Sequence, residues 1–185
     1  MSDKPWVHNR PEQRLSIATY RFLKRALLPP CYFTAIHDSD DGARTDLQRI
    51  RDATRGVTTG QLDWDIVQGV EVRPGVIRAL ARKLELKRGS NKPRGKQLQT
   101  IEDLTACGAA PVVAWSLREV HSGLVERGFR FSGNVETILQ HLEAELASWD
   151  READAVMSGE VVRKKSSSPR RPAQKKSALT WRLPD

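Results

Sequence analysis

Residues 60–67 read GQLDWDIV, and residues 80–87 read LARKLELK. Both segments alternate apolar and charged side chains, which is typical of β-strands with one buried face. We therefore predict strands at Leu62–Val67 and Leu80–Lys87, joined through a Pro74-Gly75 turn. A helix is the alternative in part of the second segment, because its apolar residues also show some helical spacing.

The alternation in these strands also determines which face each charged side chain occupies. Side chains two residues apart on a strand share a face and lie about 6.6–7 Å apart. Glu85 and Lys87 therefore share one face, while Leu84 and Leu86 share the opposite one. Asp63 likewise points away from the apolar residues of its own strand. If the two strands are neighbours, the carboxylates of Asp63 and Glu85 can reach one cation.

The remaining elements follow from periodicity, capping residues and breakers. We predict Gly69 to follow the first acidic strand, and a polar turn at His37–Gly42. The predicted order is helix, strand, helix, strand, strand, helix, strand, helix, helix. This order indicates an α/β fold with a small mixed sheet and helices on both faces. The other predicted helices are Pro11–Leu28, Thr45–Thr54, Gln97–Ala106, a short one opened by Ser116 and Glu119, and Asn134 to about Ala155; the other strands are Cys31–Ile36 and Pro111–Trp115.

Two predicted helices carry apolar stripes. In the helix that begins at Gln97, we expect the stripe to face inward and the helix to stop at Gly108. The stripe of the long helix is expected to pack within the chain, with a dimer surface as the alternative. The first stripe consists of Leu98, Ile101 and Leu104, and the second of Val135, Ile138, Leu139, Leu142, Leu146 and Trp149.

Charge is concentrated at the C-terminus. Residues 161–185 hold eight Lys or Arg and one acid, so they carry +7 of the formal net charge of +8 and leave +1 for the rest. We predict one folded domain at residues 1–158 and a basic, disordered tail at residues 159–185. The sequence has no membrane-spanning run and no export signal, so we expect a cytoplasmic protein. Cys31 and Cys107 are expected to be reduced, packed thiols.

The acid–acid–lysine set predicts a chemistry. Two adjacent carboxylates repel each other unless a cation lies between them, and Mg²⁺ prefers such oxygen ligands. A bound ion polarises a scissile phosphate and lowers the pKa of a water, while Lys87 can stabilise developing negative charge. The alternative is a solvated strand edge, because acid-x-Lys occurs by chance in many proteins.

The ordered set of segments resembles the VRR-NUC branch of the PD-(D/E)XK nuclease superfamily. The resemblance runs from about Pro11 to Val120, and no single segment is specific by itself. The chain departs from the family pattern in two places, since Leu62 precedes the aspartate and residues 38–41 (DSDD) follow His37. The segments are Pro11-Glu12, Ala35-Ile36-His37 with Gly42 and Arg44, residues 55–63 (RGVTTGQLD), Glu85-Leu86-Lys87, Gln97 with Ile101, Leu104 and Gly108, and Ser116.

The resemblance implies a restriction-endonuclease-like core and a set of site residues. Asp63, Glu85 and the main-chain carbonyl of Leu86 would bind Mg²⁺ or Mn²⁺, and Lys87 would be catalytic. Gln97 would lie near a metal-bound water or a phosphate; the alternative is that Gln97 is an ordinary surface residue of its helix. Glu12 would reach the metal site, with a helix N-terminal role as the alternative. Asp65 is a further candidate carboxylate, and His37 is either a site residue or a packed histidine.

Basic side chains beside the predicted site indicate the substrate. Arg88, Lys92, Arg94 and Lys96 follow the second strand and suit phosphate contacts, although a solvated loop is the alternative. We therefore expect a Mg²⁺- or Mn²⁺-dependent endonuclease acting on DNA in a bacterium or phage-infected cell. The resemblance implies branched or four-way junction DNA and a homodimer. The alternative function is a non-catalytic nucleic-acid-binding protein that retains the fold.

Overall fold

The computed structural model describes residues 11–36 and 62–158, which form four helices and four strands. Five predicted elements are confirmed to within two residues at each end, and the α/β class is confirmed. The predicted helix at Thr45–Thr54, the turn that contains His37, and the basic tail lie outside the described residues. The helices are α1 (Pro11–Ala26), α2 (Lys96–Ala106), α3 (Leu117–Val125) and α4 (Val135–Met157), and the strands are β1 (Cys31–Ala35), β2 (Trp64–Arg73), β3 (Val76–Leu86) and β4 (Val112–Ala114).

The four strands form one mixed sheet in the order β1-β2-β3-β4. β2 pairs antiparallel with both β1 and β3, and β4 pairs parallel with β3. Trp64 lies opposite Leu84, and Leu86 lies beside Ala114. The prediction that the two acid-bearing segments are neighbouring strands is therefore confirmed, and the helical alternative for the second segment is excluded.

One face of the sheet forms the hydrophobic core. Trp64 and Ile66 of β2 and Leu84 and Leu86 of β3 are buried in a single cluster with residues of α1, α3 and α4. Glu85 and Lys87 alternate with the two leucines and so belong to the opposite face. The helical members of the cluster include Leu15, Phe22, Leu23, Val120, Leu124, Leu139, Leu142, Leu146 and Trp149.

The apolar stripe of α4 packs within the chain, because its central residues are buried in this core. The stripe of α2 does not, since α2 has no buried residue and Leu98 is 46% exposed. The prediction that Leu98, Ile101 and Leu104 face inward is therefore wrong. Helical spacing identifies an apolar stripe but does not show whether another element packs on it. In the described ranges, the helices that contribute to the core all lie on one face of the sheet.

The strand β2 is longer than predicted at one end and shorter at the other. It continues through Gly69, where Pro30 packs against the strand: a Cβ at Gly69 would lie 2.9 Å from the Cγ of Pro30. The glycine thus makes room for the proline and does not end the strand. β2 starts only after Asp63, because the Asp63 side chain, instead of a main-chain carbonyl, accepts the hydrogen bond from Leu86.

Three further predictions concern the cysteines, the cap of α3 and membrane-spanning helices. Cys31 and Cys107 are free thiols, as predicted, but both are exposed, so the expectation of packed thiols is wrong. Ser116 caps α3, since its Oγ accepts a hydrogen bond from the main-chain N–H of Glu119 at 3.2 Å. Within the described residues, every helix is too short or too polar to cross a bilayer.

Candidate functional site

Asp63 is fixed between the two strands that flank β2. Its Oδ2 accepts a hydrogen bond from the main-chain N–H of Leu86 at 2.6 Å, and its main-chain carbonyl accepts one from Ile36 at 2.7 Å. The first bond places the Asp63 carboxylate against the end of β3, next to Glu85. The sequence thus brings an acid from each of two neighbouring strands to one end of the hairpin.

Glu85 is the most confined acid of this group. Its side chain is fully buried, and it lies between Asp63 on one side and Val113 of β4 on the other. Its Oε1 lies 2.6 Å from Nζ of Lys87, while Oε2 has no hydrogen-bond partner of normal geometry within the described ranges. Buried polar atoms are nearly always hydrogen-bonded, so this second oxygen can accept a further partner.

Lys87 supplies the positive charge at the site. Its Nζ lies 2.6 Å from Oε1 of Glu85, at ion-pair distance but without the alignment of a hydrogen bond. Its side chain is almost buried, and its main-chain N–H donates to the carbonyl of Ala114 at 2.9 Å. The ammonium is therefore held beside the two carboxylates by a strand that is paired on both sides.

The electrostatics of the site centre on Glu85, whose pKa is raised from 4.5 to about 7. Burial is the largest cause, and the negative charge of Asp63 is the second. Lys87 and the main-chain N–H of Asp63 lower the pKa but do not offset these effects. The favourable contacts of Glu85 thus do not offset the cost of burying its negative charge beside Asp63. A cation between Asp63 and Glu85 would favour the charged form of Glu85.

The residues present fit a small divalent cation. Asp63, just before β2, and Glu85 of β3 offer the hard oxygen ligands that Mg²⁺ and Mn²⁺ prefer, and within the described residues Oε2 of Glu85 has no hydrogen-bond partner of normal geometry. Mg²⁺ usually keeps several waters, so it does not require a cage of protein ligands. Among the described residues, no three or more His, Cys, Asp or Glu side chains are grouped for metal binding.

Glu12 is therefore not brought into one group with Asp63 and Glu85. Its Oε1 accepts a hydrogen bond from Nδ2 of Asn91 at 3.1 Å, which ties the start of α1 to the loop after β3. Gln97 is half-buried on the first turn of α2, and its main-chain N–H donates to the carbonyl of Arg94 at 3.1 Å. Both residues flank the loop that follows Lys87.

The predicted phosphate-binding residues fall into two groups. Arg88 pairs with Asp150 of α4, and Asp150 also pairs with Arg14 of α1 at 2.8 Å. Lys92, Arg94 and Lys96 are exposed further along the loop. Three of the four predicted cations thus have exposed side chains, and the first, Arg88, pairs with a carboxylate.

The two further candidates differ in what the structure reveals about them. Asp65 lies on the same face as Asp63, but its Oδ1 is 2.6 Å from Nζ of Lys83 on the neighbouring strand. The Asp65 carboxylate is therefore paired with Lys83 rather than with the group formed by Asp63, Glu85 and Lys87. His37 lies outside the described residues.

Two features around the site could not be predicted from the sequence. One is the contact of Asp150 with Arg14 and Arg88, which joins residues more than 60 positions apart. The other is Trp115, whose Nε1 donates to the main-chain carbonyl of Asn91 at 2.8 Å and so holds the basic loop. Periodicity identifies the faces of single elements, whereas such contacts depend on how distant elements are packed.

Comparison with known proteins identifies no relative of the chain. Neither a protein-family model nor a curated protein nor a solved structure matches the chain.

Proposed function

We propose that the chain is a Mg²⁺- or Mn²⁺-dependent endonuclease that hydrolyses phosphodiester bonds in DNA. The observation that carries the proposal is the buried Glu85 carboxylate, which lies beside Asp63 and Lys87 and whose Oε2 has no hydrogen-bond partner of normal geometry in the described ranges. A purely structural acid at this position would be expected to have both oxygens satisfied. A bound cation would supply the remaining partner.

Each residue of the site has a role in the proposed reaction. Asp63, Glu85 and the main-chain carbonyl of Leu86 would bind the ion, which polarises the phosphate and lowers the pKa of a water. Asp63 is oriented for this by the N–H of Leu86. Lys87 stands 2.6 Å from Glu85 and can stabilise the negative charge that develops on the phosphate oxygens. Lys92, Arg94 and Lys96 would contact neighbouring phosphates.

The proposed substrate is branched DNA, such as a four-way junction, bound by a homodimer. The sequence resemblance supports this choice, and a two-fold dimer would present two equivalent sites to the two strands that must be cut. The basic loop supports recognition of the phosphate backbone rather than of base sequence.

The deciding experiment is a cleavage panel of linear duplex, single strand, flap and four-way junction with Mg²⁺ or Mn²⁺. We expect cutting of the branched substrates, its loss in EDTA, and a decrease of about 10²–10³-fold in Lys87→Ala. Lys83→Ala is the matched control, because Lys83 lies on the same strand and face but pairs with Asp65. Absence of cutting of every substrate would contradict the proposal.

Metal binding can be tested separately from catalysis by thermal unfolding. An ion that binds only the folded protein stabilises it by about 2.7 kcal/mol at 100 times its Kd. We expect Mn²⁺ or Mg²⁺ to raise the Tm of the native protein but not of Asp63→Asn. The asparagine retains an oxygen that can accept the Leu86 N–H, so the variant removes charge with little change to the hairpin.

A non-catalytic nucleic-acid-binding protein is the second candidate. The observation that favours it is the presence of two, rather than three, grouped carboxylates in the described part of the chain. A binder would show no cleavage, no metal-dependent change in Tm, and unchanged DNA affinity in Asp63→Ala and Lys87→Ala.

A further inference from the structure

A two-stranded arm projects from the sheet at the end opposite the site. All residues from 71 to 79 are exposed, and we refer to them as the hairpin arm. The β-ladder continues to the pair Arg73–Val76, so only Pro74 and Gly75 form the turn. Glu71 accepts a hydrogen bond from the N–H of Gly75 at 2.7 Å, and Gly75 has a φ of 75°. The arm is therefore paired up to a short turn, with a register shift between Glu71 and Arg73, although it is solvent-exposed.

The side chains of the hairpin arm are unusual for a solvent-exposed ribbon. Val72, Val76 and Ile77 are exposed, with Ile77 at 66%, and exposed apolar side chains grouped in this way indicate a contact surface. Arg73 and Arg78 stand among them. The one acid of the arm, Glu71, accepts a hydrogen bond from the turn and keeps its charge, so two arginines and one acid leave the arm with a formal charge of +1 beside its apolar surface.

A further arginine stands at the base of the hairpin arm. Nη2 of Arg130 donates to the main-chain carbonyl of Glu71 at 3.1 Å, and the Arg130 side chain is exposed. It thus adds a third cation to Arg73 and Arg78 on the same projection. This charge favours a polyanion as the partner.

We propose that the hairpin arm lies in a groove of the duplex DNA that extends away from the cleavage site. This inference takes its partner class from the proposed function. The major groove is about 12 Å wide and accepts a two-stranded β-ribbon. Arginines on the ribbon contact phosphates or guanine edges, and β-branched side chains contact thymine methyl groups.

A second copy of the chain is a poorer partner for this arm. β4 pairs only with Leu84–Leu86, so in the described chain the outer edge of residues 76–83 has no strand beside it. Two-fold antiparallel pairing of this edge centred on Leu80 would set Arg78 opposite Arg82. Like charges opposite each other destabilise such a pair, and basic side chains commonly protect an edge from it.

The length of β3 sets the distance between the arm and the site. Glu85 and Arg78 are seven residues apart on one strand, which corresponds to about 24 Å along the strand at about 3.4 Å per residue, and this odd number places their side chains on opposite faces of the sheet. Along a duplex with a rise of about 3.4 Å per base pair, this is about 7 base pairs. The arm therefore contacts the duplex within one helical turn of the cleaved bond.

The test measures binding by fluorescence anisotropy to junctions whose duplex arms are 5 or 14 base pairs long, in EDTA so that no cleavage occurs. We expect the native protein to bind the longer arms about tenfold more tightly. The double variant Arg73→Ala/Arg78→Ala should lose this gain and keep its affinity for the short arms. Arg25→Ala/Arg151→Ala removes the same charge from exposed positions on α1 and α4 and should keep the gain.

Three outcomes have defined meanings. Retention of the length dependence in the arm variant would overturn the inference. A change of oligomeric state in that variant, with DNA binding unchanged, would also overturn it and assign the arm to a second copy. A length dependence that the arm variant loses, in a protein that cuts nothing with Mg²⁺ or Mn²⁺, would support the arm and reject the nuclease. Far-UV circular dichroism and Tm verify that each variant is folded.

Discussion

At the scale of single residues, Gln68 is the clearest case of a buried polar group whose position is explained. It lies on the core face of β2 and is 1% exposed. Its Nε2 donates to the main-chain carbonyls of Leu28 and Arg130 at 2.7 and 2.8 Å, and its Oε1 accepts from the N–H of Arg130 at 2.7 Å. One amide thus satisfies three main-chain groups of two connecting segments.

Replacement of this amide should be costly. Gln68→Leu would leave the carbonyl of Leu28 and the N–H of Arg130 without these partners, whereas the carbonyl of Arg130 keeps its hydrogen bond from the N–H of Leu28 at 3.1 Å. We expect a loss of about 2–5 kcal/mol in the free energy of unfolding, because each unsatisfied buried group costs about 1–3 kcal/mol. Urea denaturation measures it, and the exposed Gln140→Leu should change stability by less than about 0.5 kcal/mol. Equal effects of both changes would contradict the explanation.

Glu85 should make the stability of the metal-free protein depend on pH. Its pKa is raised on folding, from 4.5 to about 7, so the folded state binds this proton more tightly than the unfolded state does. The resulting stabilisation is complete below about pH 4.5 and is lost as the pH rises through 7. Each pKa unit corresponds to about 1.4 kcal/mol, so the expected loss is on the order of 3–4 kcal/mol.

The measurement compares native protein with Glu85→Gln in EDTA between pH 5 and pH 8. The glutamine cannot titrate, so the stability of the native protein relative to the variant should fall as the pH rises. Ionisation of groups that do not interact with Glu85 cancels in the difference. A difference that does not change with pH would show that Glu85 titrates normally.

At the scale of secondary-structure elements, the contact of α3 with β4 depends on one glycine. Gly123 is buried on α3, and a Cβ at this position would lie 2.7 Å from Cγ1 of Val112 on β4. Val112 is 3% exposed and its β-branched side chain has little freedom to move. The absence of a side chain at Gly123 therefore sets how closely the helix approaches the strand.

Substitution of this glycine should separate the two elements. We expect Gly123→Ala to destabilise the fold by about 1–3 kcal/mol, as overpacking of a core commonly does. Val112→Ala in the same chain should restore part of the loss, because it removes the atoms that clash. Gly133→Ala is the control, since no atom lies within 4 Å of its added Cβ. Thermal unfolding would count against the explanation if both glycine variants behaved alike.

The same scale shows what could be predicted from the sequence. The alternation around Glu85 and Asp63 was sufficient to predict two strands, their faces and their adjacency, because period-two burial is a property of the strand itself. The role of Gly69 could not be predicted, since the reason for that glycine is Pro30, 39 residues earlier. The exposure of α2 was missed for the same reason: a stripe such as that at Leu98 does not identify its neighbours.

The residues of the candidate site also differ in whether they could be identified from the sequence. Asp63, Glu85 and Lys87 were identified from local spacing, and the structure brings them together. The partners that orient the surrounding loop, Asp150 and Trp115, were not identified. They come from α4 and from the end of β4, and their contacts depend on tertiary packing rather than on any sequence period.

At the scale of the whole molecule, Asp150 joins three separate parts of the chain. Its carboxylate pairs with Arg14 of α1 and with Arg88 just after β3, while Asp150 itself lies on α4. Arg14 is 7% exposed, so its charge requires compensation. The pair of guanidinium groups on one carboxylate thus connects the helical layer to the loop beside the proposed site.

Neutralisation of this carboxylate should weaken the whole fold. We expect Asp150→Asn to lower the free energy of unfolding by about 1–3 kcal/mol, because two cations lose one anionic partner. The effect should shrink at high salt to the extent that solvent ions replace the partner. Asp154→Asn, one turn further along α4 at an exposed position, is the matched control. Chemical denaturation at two salt concentrations measures both, and equal stabilities would contradict this role.

The strict alternation of leucine and charge in β3 has a consequence for folding. A slip of one residue against β2 would turn Glu85 and Lys87 towards the apolar core and move Leu84 and Leu86 to the face that holds Asp63. The two charges would then lie in apolar surroundings, and the core would lose two leucines. The side chains proposed for catalysis therefore also disfavour this incorrect strand alignment.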